Sequence, residues 1–143
     1  MTVIDGRTWL EVLPATECWE LLAQEQIGRV AVLVDGVPEI YPVNHVVSNQ
    51  AIVFRTDRGS KLRGLTRSPI VCFEVDGTSP AAHIGWSVMV KGRAVELTAA
   101  DDVARAAALP LEYWGRGEKS HWIRIEAEDV TGRRIYRTNV DHT

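Results

Sequence analysis

The nonapeptide Phe54-Arg55-Thr56-Asp57-Arg58-Gly59-Ser60-Lys61-Leu62 gathers side chains suited to holding a small anion. Arg55 offers a planar fork of donors, Lys61 a compact positive charge, and Thr56 and Ser60 offer hydroxyls. Arg55 and Thr56 are expected to finish a strand, and Ser60 and Lys61 to open a short helix through Leu65. The free backbone N–H groups of that helix start then join the side chains. Phosphate is the ligand that suits such a convergence. Taken alone, the same residues also fit a solvated basic turn after an edge strand.

Two other segments carry groups suited to a planar ligand. Pro42-Val43-Asn44 ends in an amide that can both donate and accept at a heterocycle edge, or serve as an ordinary turn residue. Gly85-Trp86-Ser87 sets a large aromatic beside a flexible residue, which fits a stacked ring or a tryptophan of the core or a dimer interface. Tyr41 and His45 flank the first segment, but no pattern gives either an acid or base role. The catalytic residue is unassigned.

Other chemistries lack their signatures. His45, His83, His121 and His142 are scattered without metal-ligand spacing, so no metal is expected. Cys18 and Cys72 form no metal-type pair and are expected to be buried thiols. No Gly-x-Ser-x-Gly elbow occurs. The run Gly115-Arg116-Gly117-Glu118-Lys119-Ser120 begins like a dinucleotide fingerprint but lacks its third glycine and preceding strand, and is expected to be a loop.

The elements that must position these groups come from a chain of 143 residues, 45% hydrophobic and 24% charged, which predicts a single folded domain over residues 1–143. A net charge of −3 provides no attractive field for nucleic acid. The richest apolar run, Val30 to Val34, has strand length, so no membrane span is expected. Asp5, Arg7 and Glu11 interrupt the start of the chain where a signal peptide needs an unbroken apolar region, which predicts a cytoplasmic address.

Cys18, Leu21, Leu22 and Ile27 recur at near-helical spacing, with Pro14 as a start and Gly28 as a stop. From Arg29 onward, β-branched runs alternate with turn residues. RVAVLV and VPEIYPV flank Asp35-Gly36, a hairpin signal, and Ser48-Asn49-Gln50 leads into AIVFRT. IVCFEVDG and SVMVKGRAVEL follow, the latter with Gly92 as a bulge or bend. Thr98 is expected to cap an Ala-rich helix through Ala108 that Pro110 ends. HWIRIEAEDV and RRIYR read as two strands around a Thr131-Gly132 turn. The result is a mainly β chain of six or seven antiparallel strands with two or three short helices, a closed or partly open barrel.

The segments GRVAVLVDGVPEIYPVN, IVFRTDRGSKL, VCFEVDG, GWSVMVKGRA and WIRIEAEDVTGRR occur in the order seen in the pyridoxamine 5′-phosphate oxidase-like proteins. The chain resembles this superfamily of flavin-binding split β-barrels from about Pro14 to Arg134. It is most similar to small bacterial members, often actinobacterial, with the nitroimidazole-reductase-like proteins as near relatives.

The resemblance implies a homodimer that binds FMN in two clefts between subunits. Arg55, Thr56, Ser60 and Lys61 match the phosphate-binding stretch. Val43, Asn44 and Phe54 match residues lining the flavin ring and ribityl chain, and Trp86 and Ser87 match the segment reaching the ring from across the cleft. Glu74 stands where an amide near the cofactor is common. The chain lacks the C-terminal arginine- and histidine-bearing segment of a vitamin B6 oxidase, so pyridoxal phosphate synthesis is not expected. Arg55 stands where nitroimidazole-reductase-like members commonly place a histidine. The function implied is a flavin-dependent oxidoreductase acting on an unidentified small organic substrate. The alternatives are a deazaflavin F420-dependent reductase, whose acidic tail Arg58, Arg63 and Arg67 would meet, and a non-enzymatic flavin- or haem-binding or sensing protein.

Overall fold

Alternation along the third strand shows how the chain builds its interior. In a computed structural model, which describes Val3–Asp5 and residues 10–115 and 120–136, Gly28, Val30, Val32 and Val34 face inward while Arg29 and Leu33 face solvent. The strands are β1 (Val3–Asp5), β2 (Leu10–Val12), β3 (Ile27–Val34), β4 (Val37–Val47), β5 (Ala51–Thr56), β6 (Ile70–Ser79), β7 (Ile84–Leu97) and β8 (His121–Tyr136). The helices are α1 (Ala15–Gln24), α2 (Ser60–Arg67) and α3 (Ala100–Ala107). No helix among the described residues is long and apolar enough to cross a membrane.

Every strand pairing is antiparallel, and β8-β5-β4-β3-β6-β7 closes on itself through a β7–β8 ladder. This is the expected split barrel, with β1 and β2 added beside β8. The β3–β4 hairpin turns at Asp35 and Gly36, with φ of 51° and 79°. Asn49 and Gln50, at 50° and 57°, turn β4 into β5. Both turns place two successive residues at positive φ, the twist that suits a two-residue hairpin. The ring is filled by Phe54, Phe73, Ile52, Ile123, Ile125 and the inward valines.

The bulge expected at Gly92 is present: Lys91 pairs with Asp129 but Gly92 with Ala127, and a Cβ at position 92 would lie 2.1 Å from the Glu126 carbonyl oxygen. Four local expectations are corrected. Gly28 does not stop α1 but lies inside β3, where a Cβ would meet Phe73 Cζ at 2.1 Å. Residues 131 and 132 make no turn, because β8 runs unbroken through them; glycine is needed there since a Cβ would sit 2.6 Å from Cys18 Sγ. Thr98 does not cap α3, whose N-cap position is Ala99 without a side-chain hydrogen bond. Cys18 is buried, but Cys72 is only half-buried on the outer face of β6.

Candidate functional site

The anion-binding candidates sit where β5 hands over to α2. Thr56 ends β5 and is 1% exposed, its hydroxyl donating to the Asp57 carbonyl at 3.3 Å. Gly59 follows at φ +136°, a backbone conformation that only glycine takes without strain, and the chain then enters α2 at Ser60. Among the described residues no side-chain cap bond is made at this helix start, and its first turn carries no acidic residue. Its N–H groups and positive dipole end are therefore available to an anion. The helix is fixed at Gly64, where a Cβ would lie 2.9 Å from the Leu33 carbonyl oxygen, so α2 packs directly on the β3 backbone.

Arg55 and Lys61 converge on a cavity of about 140 Å³. Its walls are Pro42, Val43 and Asn44 of β4, and Leu111, Glu112, Tyr113 and Gly115 from the segment beyond α3. Arg55 lies across the Trp122 ring, its guanidinium carbon 4.8 Å from the centroid. Its Nε is buried without a hydrogen-bond partner among the described residues. Lys61 Nζ lies 5.6 Å from the Tyr41 ring centroid. A second cavity of about 320 Å³ on the other side of Lys61 is lined by Tyr41 and residues 56–61. Lys61 belongs to both walls.

The structure thus brings Val43, Asn44, Arg55 and Lys61 to one cavity, and Thr56, Ser60 and Lys61 to its neighbour. Phe54 is placed differently: it is fully buried in the barrel core, so its ring packs the scaffold beneath the site and does not line either cavity. Strand alternation already contained this signal, since Arg55 facing outward forces Phe54 inward. Asn44 is also already engaged, because its Oδ1 accepts from the Trp114 backbone N–H at 3.0 Å and its Nδ2 donates to the Gln26 carbonyl at 3.4 Å. The residues missed in the sequence are those of segment 111–115, which has no periodic pattern to reveal it. Only the adjacent aromatics Tyr113 and Trp114 after Pro110 mark it. The Gly115–Ser120 run falls mostly on residues 116–119, outside the described residues.

Trp86 and Ser87 lie elsewhere. Arg55 pairs with Trp122 on β8 and Trp86 pairs with Arg134 on the same strand, a separation of about 40 Å along the strand. The Trp86 indole covers Gly77, where a Cβ would be 2.6 Å from its Nε1.

Glu74 and His45 both depart from their ordinary titration ranges. Glu74, on the outer face of β6, is pushed up to about 7 by burial and then by Asp76, against the pull of Arg29. Arg29 bonds Asp76 at 3.0 Å and stands 3.6 Å from Glu74. Burial holds His45 below the usual histidine range, against a 2.8 Å contact of its Nε2 with the Leu22 carbonyl. That contact requires a proton on Nε2, which leaves Nδ1 as an acceptor facing the core. The cluster of arginines expected to meet a long acidic tail is partly committed, since Arg63 pairs with Asp35 at 3.2 Å. Among the described residues no group of three His, Cys, Asp or Glu side chains is placed to share a metal ion.

The fold is a closed antiparallel split barrel that carries a cavity lined by Arg55 and Lys61 on its outer wall, beside the start of α2. Residues 14–134 match the family model described as pyridoxamine 5′-phosphate oxidase. The chain belongs to the pyridoxamine 5′-phosphate oxidase-like family. It is 36% identical over 128 residues to the uncharacterized protein Rv0080 of Mycobacterium tuberculosis, covering 86% of this chain and 84% of that one. Among solved structures it is similar to the FAD-binding protein of Mycobacterium smegmatis, with a TM-score of 0.73, 37% identity, and 88% and 98% of the two chains covered. It also resembles a FAD-binding protein of Mesorhizobium loti, with a TM-score of 0.76, 27% identity, and 87% and 97% covered.

Proposed function

We propose that this chain binds a flavin by its phosphate at Arg55, Lys61 and the start of α2, and uses it for redox chemistry on a small organic substrate. The observation that carries the reading is the buried Arg55 Nε without an acceptor, in one cavity with Lys61. A buried donor left unpaired is costly, and a phosphate oxygen satisfies it. Thr56 and Ser60 line the neighbouring cavity that shares Lys61, and Val43 lines the cavity of Arg55 and Lys61, where the ribityl chain is proposed to run. The bound flavin supplies hydride transfer, while the chain anchors, orients and partly shields it.

FMN, with one phosphate, is the first reading of the cofactor. The FAD-binding relatives favour a second, FAD, and the compartment beyond Lys61 offers room for a longer phosphate chain. Deazaflavin F420 ranks below both, because Arg63 is committed to Asp35. A homodimer is part of the proposal: Trp86 and Ser87, on β7, pair with the end of β8 far in register from the residues opposite Arg55, which favours their reaching the ligand from a second copy. A cytoplasmic setting accompanies this reading.

The test is the visible spectrum of the purified protein, followed by titration of the stripped protein with FMN, FAD and F420. Flavin absorbance and saturable binding of FMN or FAD support the reading, and binding of neither overturns it. Turnover with reduced nicotinamide donors and organic acceptors then separates an oxidoreductase from a flavin carrier.

A further inference from the structure

Trp114 is fixed in place yet left open. Its backbone N–H donates to Asn44 Oδ1 at 3.0 Å, a tie between residues seventy positions apart. Its indole Nε1 also donates to Glu112 at 3.4 Å. Despite both bonds the residue is 60% exposed. Its neighbours Glu112, Tyr113 and Gly115 line the cavity that holds Arg55 and Lys61. Gly115 packs closely on Tyr113, since a Cβ there would come within 2.7 Å of the Tyr113 hydroxyl. A large, mostly exposed aromatic residue held at its backbone and at its indole N–H, between residues that line a cavity with Arg55 and Lys61, suits a flat ligand.

We infer that segment 111–115 is a ligand-binding wall in which Trp114 stacks on a planar ring of the bound molecule and Asn44 acts as the positioning residue that sets it there. The inference rests on the flavin reading but assigns a contact that the phosphate site does not need. It also changes the role of Asn44: its amide holds the wall instead of reading a heterocycle edge. Ligands with an extended aromatic ring are selected over equally charged ones without it, since stacking depends on the ring and not on the phosphate.

The experiment is calorimetric titration of the full chain with FMN, riboflavin and ribose 5-phosphate. Trp114→Ala is expected to weaken FMN and riboflavin alike, by about tenfold, and to leave ribose 5-phosphate unchanged. Trp114→Phe retains a ring face and is expected to stay within about threefold of the parent, which separates loss of stacking from loss of folding. Asn44→Ala is expected to weaken both flavins, and the double variant to be no worse than Trp114→Ala alone, as holds when one residue acts through another. Flavin fluorescence, quenched in the parent, is expected to recover in Trp114→Leu. If the parent binds FMN and Trp114→Ala binds it equally well, the wall is overturned while the flavin reading stands. If the parent binds no flavin, both fail.

Discussion

Arg55 and Trp122 face each other across the β5–β8 ladder, the guanidinium resting over the indole 4.8 Å from its centroid. The stack sets the guanidinium against the ring face on the outer wall of the barrel, and Nε is left buried with no hydrogen-bond partner among the described residues. Trp122 is itself nearly buried with Val53 and Ala106 of α3. The α3 layer therefore fixes the ring, and the ring fixes the arginine.

Replacing Trp122 by leucine is expected to raise the Kd for FMN about threefold to tenfold, the worth of a partly exposed cation–π contact. Riboflavin affinity should be unchanged, because no phosphate depends on Arg55 there. Equal losses for both ligands would mean that Trp122 supports the barrel wall and not Arg55.

Phe54 provides the opposite case, a residue beside the site whose ring faces away from it. Phe54→Leu is expected to cost about 1–2 kcal/mol of stability through lost packing, while the folded variant keeps its FMN affinity within about twofold. Denaturant midpoints and flavin titration measure the two effects separately. A large affinity loss with little change in stability would return Phe54 to the list of ligand contacts.

Much of the fold was legible because period and turn chemistry agreed with it. Val30, Val32 and Val34 alternate with Arg29 and Leu33, and Asp35-Gly36 closes the hairpin that the alternation requires. Glycine was the main source of error. Gly28 and Gly132 punctuate nothing; each is small because a neighbouring side chain, Phe73 or Cys18, occupies the space a Cβ would take. Such tertiary close approaches leave no local pattern. The site divided in the same way: Arg55, Thr56, Ser60 and Lys61 are contiguous and readable, whereas segment 111–115 is irregular and reaches Asn44 only through the folded chain.

Stability should depend on pH through two groups of opposite sign. The folded chain holds the Glu74 proton up to about pH 7, above its ordinary value of 4.5. Its favourable contribution is present below that ordinary value and is lost as pH rises to about 7. Glu74→Gln should therefore be more stable relative to the parent at pH 8 than at pH 5. His45 behaves oppositely: its folded pKa lies below 6.5, so the unfolded chain takes up the proton first and stability falls as pH drops below 6.5. In the Glu74→Gln background, the urea midpoint should fall between pH 7 and 5.5. A flat profile there would contradict the buried neutral state of His45.

The separation of Arg55 from Trp86 along β8 makes the two-copy site testable by mixing. Arg55→Ala and Trp86→Ala chains should each bind flavin weakly alone. Unfolded together and refolded as an equal mixture, half the dimers are mixed and each carries one intact site, so about a quarter of all sites should recover parental affinity. No recovery, in a mixture shown to contain mixed dimers, would place both residues in the same subunit's site or remove Trp86 from it.

The central claim is that Arg55 and Lys61 hold a phosphate, and the most direct measurement compares FMN with riboflavin on the parent and on an Arg55→Ala/Lys61→Ala variant. The account predicts that FMN loses at least about a hundredfold in affinity, the worth of two charge-assisted contacts, while riboflavin changes by less than about threefold. Equal losses for the two ligands, or no loss for FMN in a folded variant, would contradict it.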